Sequence, residues 1–189
     1  MRHFFGIFIL FVLGFTSCSE VAEEETEQTV VESDTDTILI EDKHSYSNTD
    51  EAYSTHIHVD LAVDFDNRVL SGVATHDIEI LKETDEMVFD IHDLDIEKVT
   101  LNEGDETSFE LGEYDELLGQ SLSVKINAET KKVNIHYATK ESSKALLWLN
   151  PQQTAGKQHP YVFTQGEAVL TRTWIPCQDT PGNRITYSA

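Results

Sequence analysis

Only two cysteines, Cys18 and Cys177, occur in the 189 residues. Two thiols 159 positions apart make no disulfide framework, so the chain must hold itself together by an ordinary core. Basic residues are also scarce. Thirteen Lys and Arg stand against thirty-five Asp and Glu, for a formal net charge of −22. A surface of that sign repels phosphate, which excludes nucleic-acid binding as the main business of the chain. No apolar run approaches the ~20 residues that a membrane-spanning helix takes. No long 3.6-residue periodicity and no internal repeat at fixed spacing is present either, which excludes helical bundles and solenoids.

What is present begins with an address. Arg2 supplies a short basic region, and Phe4 to Phe15 is almost wholly apolar. That length and order fit a signal peptide over residues 1–17. It leads to Phe15-Thr-Ser-Cys18, which resembles a bacterial lipoprotein box, with Cys18 lipidated and the product exported and anchored to a membrane at the periplasm or cell surface. Ordinary signal cleavage without a lipid is the alternative. Residues 19–42 then carry ten acidic residues and no basic one. Such a segment buries too little apolar surface to offset its ordering entropy, so residues 18–42 read as a disordered acidic tether. Within it Ile38-Leu-Ile40 is expected to dock as a short first strand.

From Thr55 the pattern is β. His56, His58, Asp60, Ala62 and Asp64 alternate with Ile57, Val59, Leu61, Val63 and Phe65, a period of two with one apolar face. A turn at Asp66-Asn-Arg68 precedes a strand from Val69 to Ile80, with a bulge expected at Gly72. Alternation recurs at Met87/Phe89/Ile91, Leu122/Val124/Ile126 and Val133/Ile135/Tyr137, and Ala145–Leu149 is a short apolar run. The spacing predicts an all-β domain over residues 43–189, an antiparallel sandwich or saddle. His56 and His58 share a strand face, the geometry of a metal pair, but that face also carries Asp60 and Asp64 and reads as solvent. No metal site is expected in this chain. Cys177 reads as a small buried hydrophobe, and Trp148 and Trp174 as core or interface residues.

The stretch from His159 to Pro181 carries polar, turn-forming and aromatic residues beyond what a scaffold needs. Tyr161-Val-Phe163 ends in Thr164-Gln165-Gly166-Glu167. A spacing of two on an extended chain puts the Gln165 amide and Glu167 carboxylate on one face, while Gly166 permits an unusual backbone or a close approach. Such a pair suits a ligand rich in N–H donors, a primary ammonium among them. A solvated strand end, with Glu167 paired to Arg172, is the plainer alternative.

His159-Pro-Tyr161, Phe163-Thr-Gln-Gly-Glu-Ala168, Arg172 and Pro176-Cys-Gln-Asp-Thr-Pro181 together resemble the gluzincin zinc aminopeptidases, most closely the leukotriene hydrolase/aminopeptidase branch. Asp42-Lys-His-Ser-Tyr-Ser-Asn48, Val63-Asp-Phe65, Leu70-Ser-Gly72 and Leu147-Trp-Leu-Asn-Pro151 through Lys157 agree in order. The resemblance covers about residues 42–189. It implies a β-saddle N-terminal domain, with Glu167 holding the free amino terminus of a peptide, Gln165 and Gly166 beside it in the substrate site, and Pro151–Lys157 forming a loop that helps position them. His44 and His159 are then expected to be hydrogen-bonded anchors. The Gln-x-Glu form of the element tilts the reading toward peptides rather than lipid epoxides. Gly166 stands where relatives often have Cys. The family's zinc is held by H-E-x-x-H, yet none of the eight histidines here precedes a Glu. Zinc, the catalytic residues and the water-activating step are therefore expected outside this chain. The 189 residues are expected to be the inactive substrate-clamping part of a metalloaminopeptidase, with the missing catalytic domain as partner. As a fragment it would carry an unpaired final strand after Arg184 and an exposed Trp174 surface, both prone to aggregation. The alternative is a stand-alone lipoprotein β-module that binds peptide or protein without catalysis.

Overall fold

A computed structural model describes residues 42–189. The expected signal peptide, the lipidated Cys18, the strand at Ile38–Ile40 and all of the acidic tether except Asp42 lie outside the described residues.

Regular structure is almost entirely β. The large sheet is built on β1 (Ala52–Asp64) and β2 (Val69–Ile80), a long antiparallel pair. β8 (Lys132–Ala138), β4 (Asp95–Leu101) and β5 (Asp105–Thr107) extend it beyond β2. On the other side of β1 lies β11 (Thr186–Ser188). A second sheet has the order β3 (Glu86–Ile91), β7 (Gln120–Lys125), β6 (Phe109–Leu111). A hairpin of β9 (Leu146–Leu149) and β10 (Tyr161–Thr164) completes the fold.

The alternation read from sequence sets the core. Ile57 and Val59 of β1, Ala74 of β2 and Ile135 of β8 share one buried cluster with Met87 and Phe89 of β3 and Leu122 of β7. Apart from Ala74, each of these side chains contributes about 1.5–3 kcal/mol through burial. β3 is buried beyond its first residue on both faces, Asp90 included, because its second edge is covered too. Asp90 pairs with Cys177 across an isolated bridge, and the Asn48 side chain accepts from the Val88 N–H at 2.8 Å.

Three expectations are corrected. Gly72 is not at a bulge, since register runs unbroken through Leu61↔Gly72 and Gly72↔Tyr137. The irregularity falls between Ser54 and His56 instead. It shifts the inward phase by one residue, so Ala52 and Ser54 are buried before it and Ile57 and Val59 after it. Gly72 is needed for another reason: a Cβ there would sit 2.0 Å from the Asp60 carbonyl oxygen. The strand after Arg184 is not unpaired. β11 runs parallel to β1 through His56↔Thr186, Ile57↔Tyr187 and His58↔Ser188. Trp174 is half-buried against the core rather than exposed.

Candidate functional site

β10 is set by antiparallel pairing with β9, Tyr161↔Leu149 through Thr164↔Leu146. The two faces of this hairpin differ. Leu147, Leu149, Tyr161 and Phe163 share the outer face; Tyr161 is 56% and Phe163 41% exposed, and their rings stack with centroids 6.3 Å apart. The inner face is Val162 and Thr164 with Leu146 and Trp148. Val162 and Thr164 look into an apolar groove of about 610 Å³, walled by Ile57, Leu61 and Val63 of β1, Trp174, and Tyr187 of β11.

The loop from Asn150 to Pro160 is a built turn. Pro151–Gln153 form a 3₁₀ turn whose Gln153 side chain accepts the Asn150 N–H at 2.9 Å. The Thr154 hydroxyl lies 2.9 Å from the carbonyls of both Pro151 and His159 and shares its one proton between them. His159 is thus an anchor through its backbone, and its ring is exposed. His44 behaves alike: its carbonyl accepts from Arg172 Nη2 at 2.8 Å while its side chain is 70% exposed. Both are hydrogen-bonded through their peptide groups.

Beyond β10 the chain turns. The Gln165 N–H donates to the Ala145 carbonyl at 2.9 Å, and the Leu170 N–H to the Gly166 carbonyl at 2.9 Å. The second bond closes a tight turn over Glu167–Leu170. A Cβ on Gly166 would lie 2.5 Å from Thr171 Oγ1, so the close approach this glycine permits is by Thr171. Gln165 and Glu167 do come together, though not as neighbours on a strand face. The Gln165 side-chain oxygen accepts the Glu167 N–H at 3.3 Å. Both side chains are exposed. Among the described residues the Glu167 carboxylate has no ion pair and no hydrogen bond. The pair with Arg172 does not form, because Arg172 is fully buried and committed elsewhere.

Where Arg172 points was not foreseen from sequence. Its Nε donates to Asp179 Oδ2 at 3.2 Å and its Nη1 to the Leu118 carbonyl at 2.9 Å. Asp90, also fully buried, faces Nη1 at 3.4 Å. Asp90 further accepts from the Ser45 hydroxyl at 2.6 Å and the N–H groups of Tyr46 and Asp179 at 2.7 and 2.9 Å. Burial pushes the Asp179 carboxyl upward, against the pull of the adjacent guanidinium. Gln178 closes the arrangement, donating to the Ala52 carbonyl and accepting from Ser54 N–H. This polar knot ties the 42–48 segment, β3 and the 172–179 segment together, and so fixes the turn that carries Glu167. Asp90, a charge inside Met87-Val-Phe-Asp-Ile91, was the one signal available.

His56 and His58 hydrogen-bond to Thr186 and Ser188 across the β1–β11 edge. No group of three His, Cys, Asp or Glu among the described residues is placed to hold a metal ion, so these residues do not fit a zinc site. Cys177 is buried and its thiol is pushed far up by that burial, which removes it as a nucleophile.

The Peptidase M1 N-terminal domain model matches residues 44–189. Leukotriene A-4 hydrolase of Xenopus laevis is 35% identical over 152 residues, covering 77% of this chain and 25% of that protein. Leucine aminopeptidase 2 of Sclerotinia sclerotiorum is 34% identical over 153 residues, again 77% and 25%. The solved yeast LTA4 hydrolase in complex with bestatin superposes with a TM-score of 0.72 at 32% identity, over 80% of this chain and 24% of that one. The chain spans about a quarter of the length of the curated relatives it matches.

Proposed function

Because this chain belongs to the peptidase M1 N-terminal domain family, we propose that it is the amine-clamping domain of a zinc aminopeptidase whose zinc lies outside the described residues. In this reading Glu167 receives the α-ammonium of a peptide and Gln165 and Gly166 line the site beside it. An internal residue of a peptide has no ammonium to offer, so the clamp restricts cleavage to the first residue.

The observation that carries the proposal is Glu167 itself. Its carboxylate projects unpaired from a turn whose backbone is pinned at Ala145 and Leu170 and braced by the buried Arg172. Pinning the backbone while leaving the carboxylate free is what an incoming cation requires. The outer hairpin face of Leu147, Leu149, Tyr161 and Phe163 lies on the strand leading to Gln165. It supplies an apolar seat on which the catalytic domain rests beside the clamp.

The test is Glu167→Ala in the complete enzyme, assayed on aminoacyl and N-acetylated aminoacyl anilides. A charge-assisted contact of about 1.5–3 kcal/mol makes the expected loss in kcat/KM about 10- to 150-fold, with zinc content unchanged. Equal kcat/KM in variant and wild type would remove the assignment. Export and anchoring rest on residues 1–18, and we propose lipidation at Cys18. Metabolic labelling with an alkynyl fatty acid should mark the wild type and leave Cys18→Ala unmarked; label on the variant would refute it.

A further inference from the structure

The domain holds Asp42 in a fixed place. Its Oδ1 accepts the His44 N–H at 3.0 Å, and its Oδ2 is buried. Thr180 and that N–H hold the carboxyl below its usual range, so Asp42 sits against Thr180. Thr180 opens a turn. Its hydroxyl accepts the Gly182 N–H at 3.5 Å, and its carbonyl accepts the Asn183 N–H at 3.2 Å.

This turn is one wall of a hollow of about 420 Å³. Gly182, Asn183 and Arg184 line that side, and Thr49, Tyr53 and Leu81 line the other, where β1 begins and β2 ends. Both walls are secured. The Leu81 N–H donates to the Glu51 carbonyl at 2.7 Å, and the Asn183 side chain donates to Gln178 Oε1 at 3.2 Å. Two side chains in the hollow are left without partners. Leu81 is 54% exposed. Arg184 is exposed and makes no ion pair among the described residues. The carboxylates at this end are already engaged: Asp50 holds Lys82 at 2.6 Å, and Glu79 accepts from the Tyr53 hydroxyl at 2.7 Å.

The chain leading into Asp42 carries the complementary pair, aliphatic Ile40 and acidic Glu41. An extended chain advances about 3.3–3.6 Å per residue, so Ile40 starts within about 7 Å of the Asp42 Cα. Successive side chains of an extended segment point to opposite sides. That suits a hollow with Leu81 and Tyr53 on one wall and Arg184 on the other.

We propose that Ile40 and Glu41 dock in this hollow, Ile40 on Leu81 and Tyr53, and Glu41 on Arg184. The chain before Ile40 then starts from a fixed point beside the Thr180–Arg184 turn.

Methyl NOEs and amide exchange on the full 189-residue chain test this. NOEs between the methyl groups of Ile40 and Leu81 are expected. The Ile40 and Glu41 amides, corrected for intrinsic rates, should exchange about tenfold more slowly than those of residues 30–35. Arg184→Glu reverses the charge facing Glu41, and Leu81→Ser removes the apolar contact. Both positions are exposed, so protection of β1 and β2 should stay as it is. Exchange at residues 40 and 41 should return to the rate of residues 30–35 in each variant. Equally fast exchange in the wild type refutes the docking. Protection that neither variant lowers, or NOEs from Ile40 to Tyr114 or Leu117 instead, overturns the choice of hollow. Protection that rises with protein concentration, as docking on a second copy requires, overturns it too.

Discussion

His76 makes the pH dependence of global stability calculable. It lies on β2, fully buried, with its ring 4.7 Å from that of Phe89. Nε2 donates to the Pro176 carbonyl at 3.0 Å, which leaves Nδ1 to accept from the Ser54 hydroxyl at 2.9 Å. Both nitrogens are satisfied only in the neutral ring, and burial drives the pKa from 6.5 down to about 4. The unfolded chain therefore binds a proton that the folded chain refuses between those values. Stability from this group is fully present above pH 6.5 and is lost as pH falls toward 4. The gap corresponds to about 3 kcal/mol in total, at about 1.4 kcal/mol per pH unit within the window. Urea melts of the wild type and His76→Gln at several pH values isolate the effect. Glutamine keeps a donor for Pro176 but does not titrate. The stability gap between the two proteins should narrow by about 3 kcal/mol from pH 7.5 to 4. The slope between pH 6.5 and 5 suffices if the protein unfolds lower down. Asp179, whose carboxyl is raised, acts in the opposite sense, but it is present in both proteins and cancels. Parallel curves, or a His76 ring that titrates near 6.5 by NMR, would refute the reasoning.

Two other substitutions follow from the packing. Arg172→Leu leaves Asp90 and Asp179 buried without their cation and should cost about 3–5 kcal/mol; a urea midpoint close to wild type would show the knot to be energetically idle. Gly72→Ala drives a Cβ into the backbone at Asp60, and Gly166→Ala drives one only into a rotatable Thr171 hydroxyl. The first should cost about 2 kcal/mol or more and the second well under half of that. Equal losses in thermal melts would contradict the geometry.

The strands were legible because their signal is local. Alternation at Ile57/Val59, Met87/Phe89, Leu122/Val124 and Val133/Ile135 is decided by which face meets the core, and each segment carries that information alone. The phase slip at Ser54 was invisible for the same reason. Ala52 and Ser54 are small, one apolar and one polar, so no pattern marks them as inward. Ser54 is buried because His76, 22 residues on, and Gln178, 124 residues on, satisfy it.

The candidate site divides along the same line. Gln165 and Glu167 stand out in the sequence because the motif is contiguous. The turn that carries them is not legible there, because it is secured by residues scattered along the chain. Arg172 reaches back to His44, Asp90 and Leu118. From sequence Arg172 reads as a neighbour able to neutralise Glu167 at the surface, since the two lie five positions apart. Three-dimensional burial reverses that. A guanidinium removed from water must find carboxylates that are also removed from water, and Asp90 and Asp179 are the ones at hand. Their capture of Arg172 is what leaves Glu167 unpaired. The buried knot and the exposed carboxylate are therefore one design: the same pairing that fixes the turn also keeps Arg172 away from Glu167. Replacing Arg172 disturbs Glu167 through the backbone, while replacing Glu167 leaves the knot untouched. Glu167→Ala should accordingly match the wild type in urea midpoint within about 0.5 kcal/mol, as surface substitutions do. A larger loss would mean that Glu167 is part of the scaffold after all, and any fall in activity would then say nothing about a clamp.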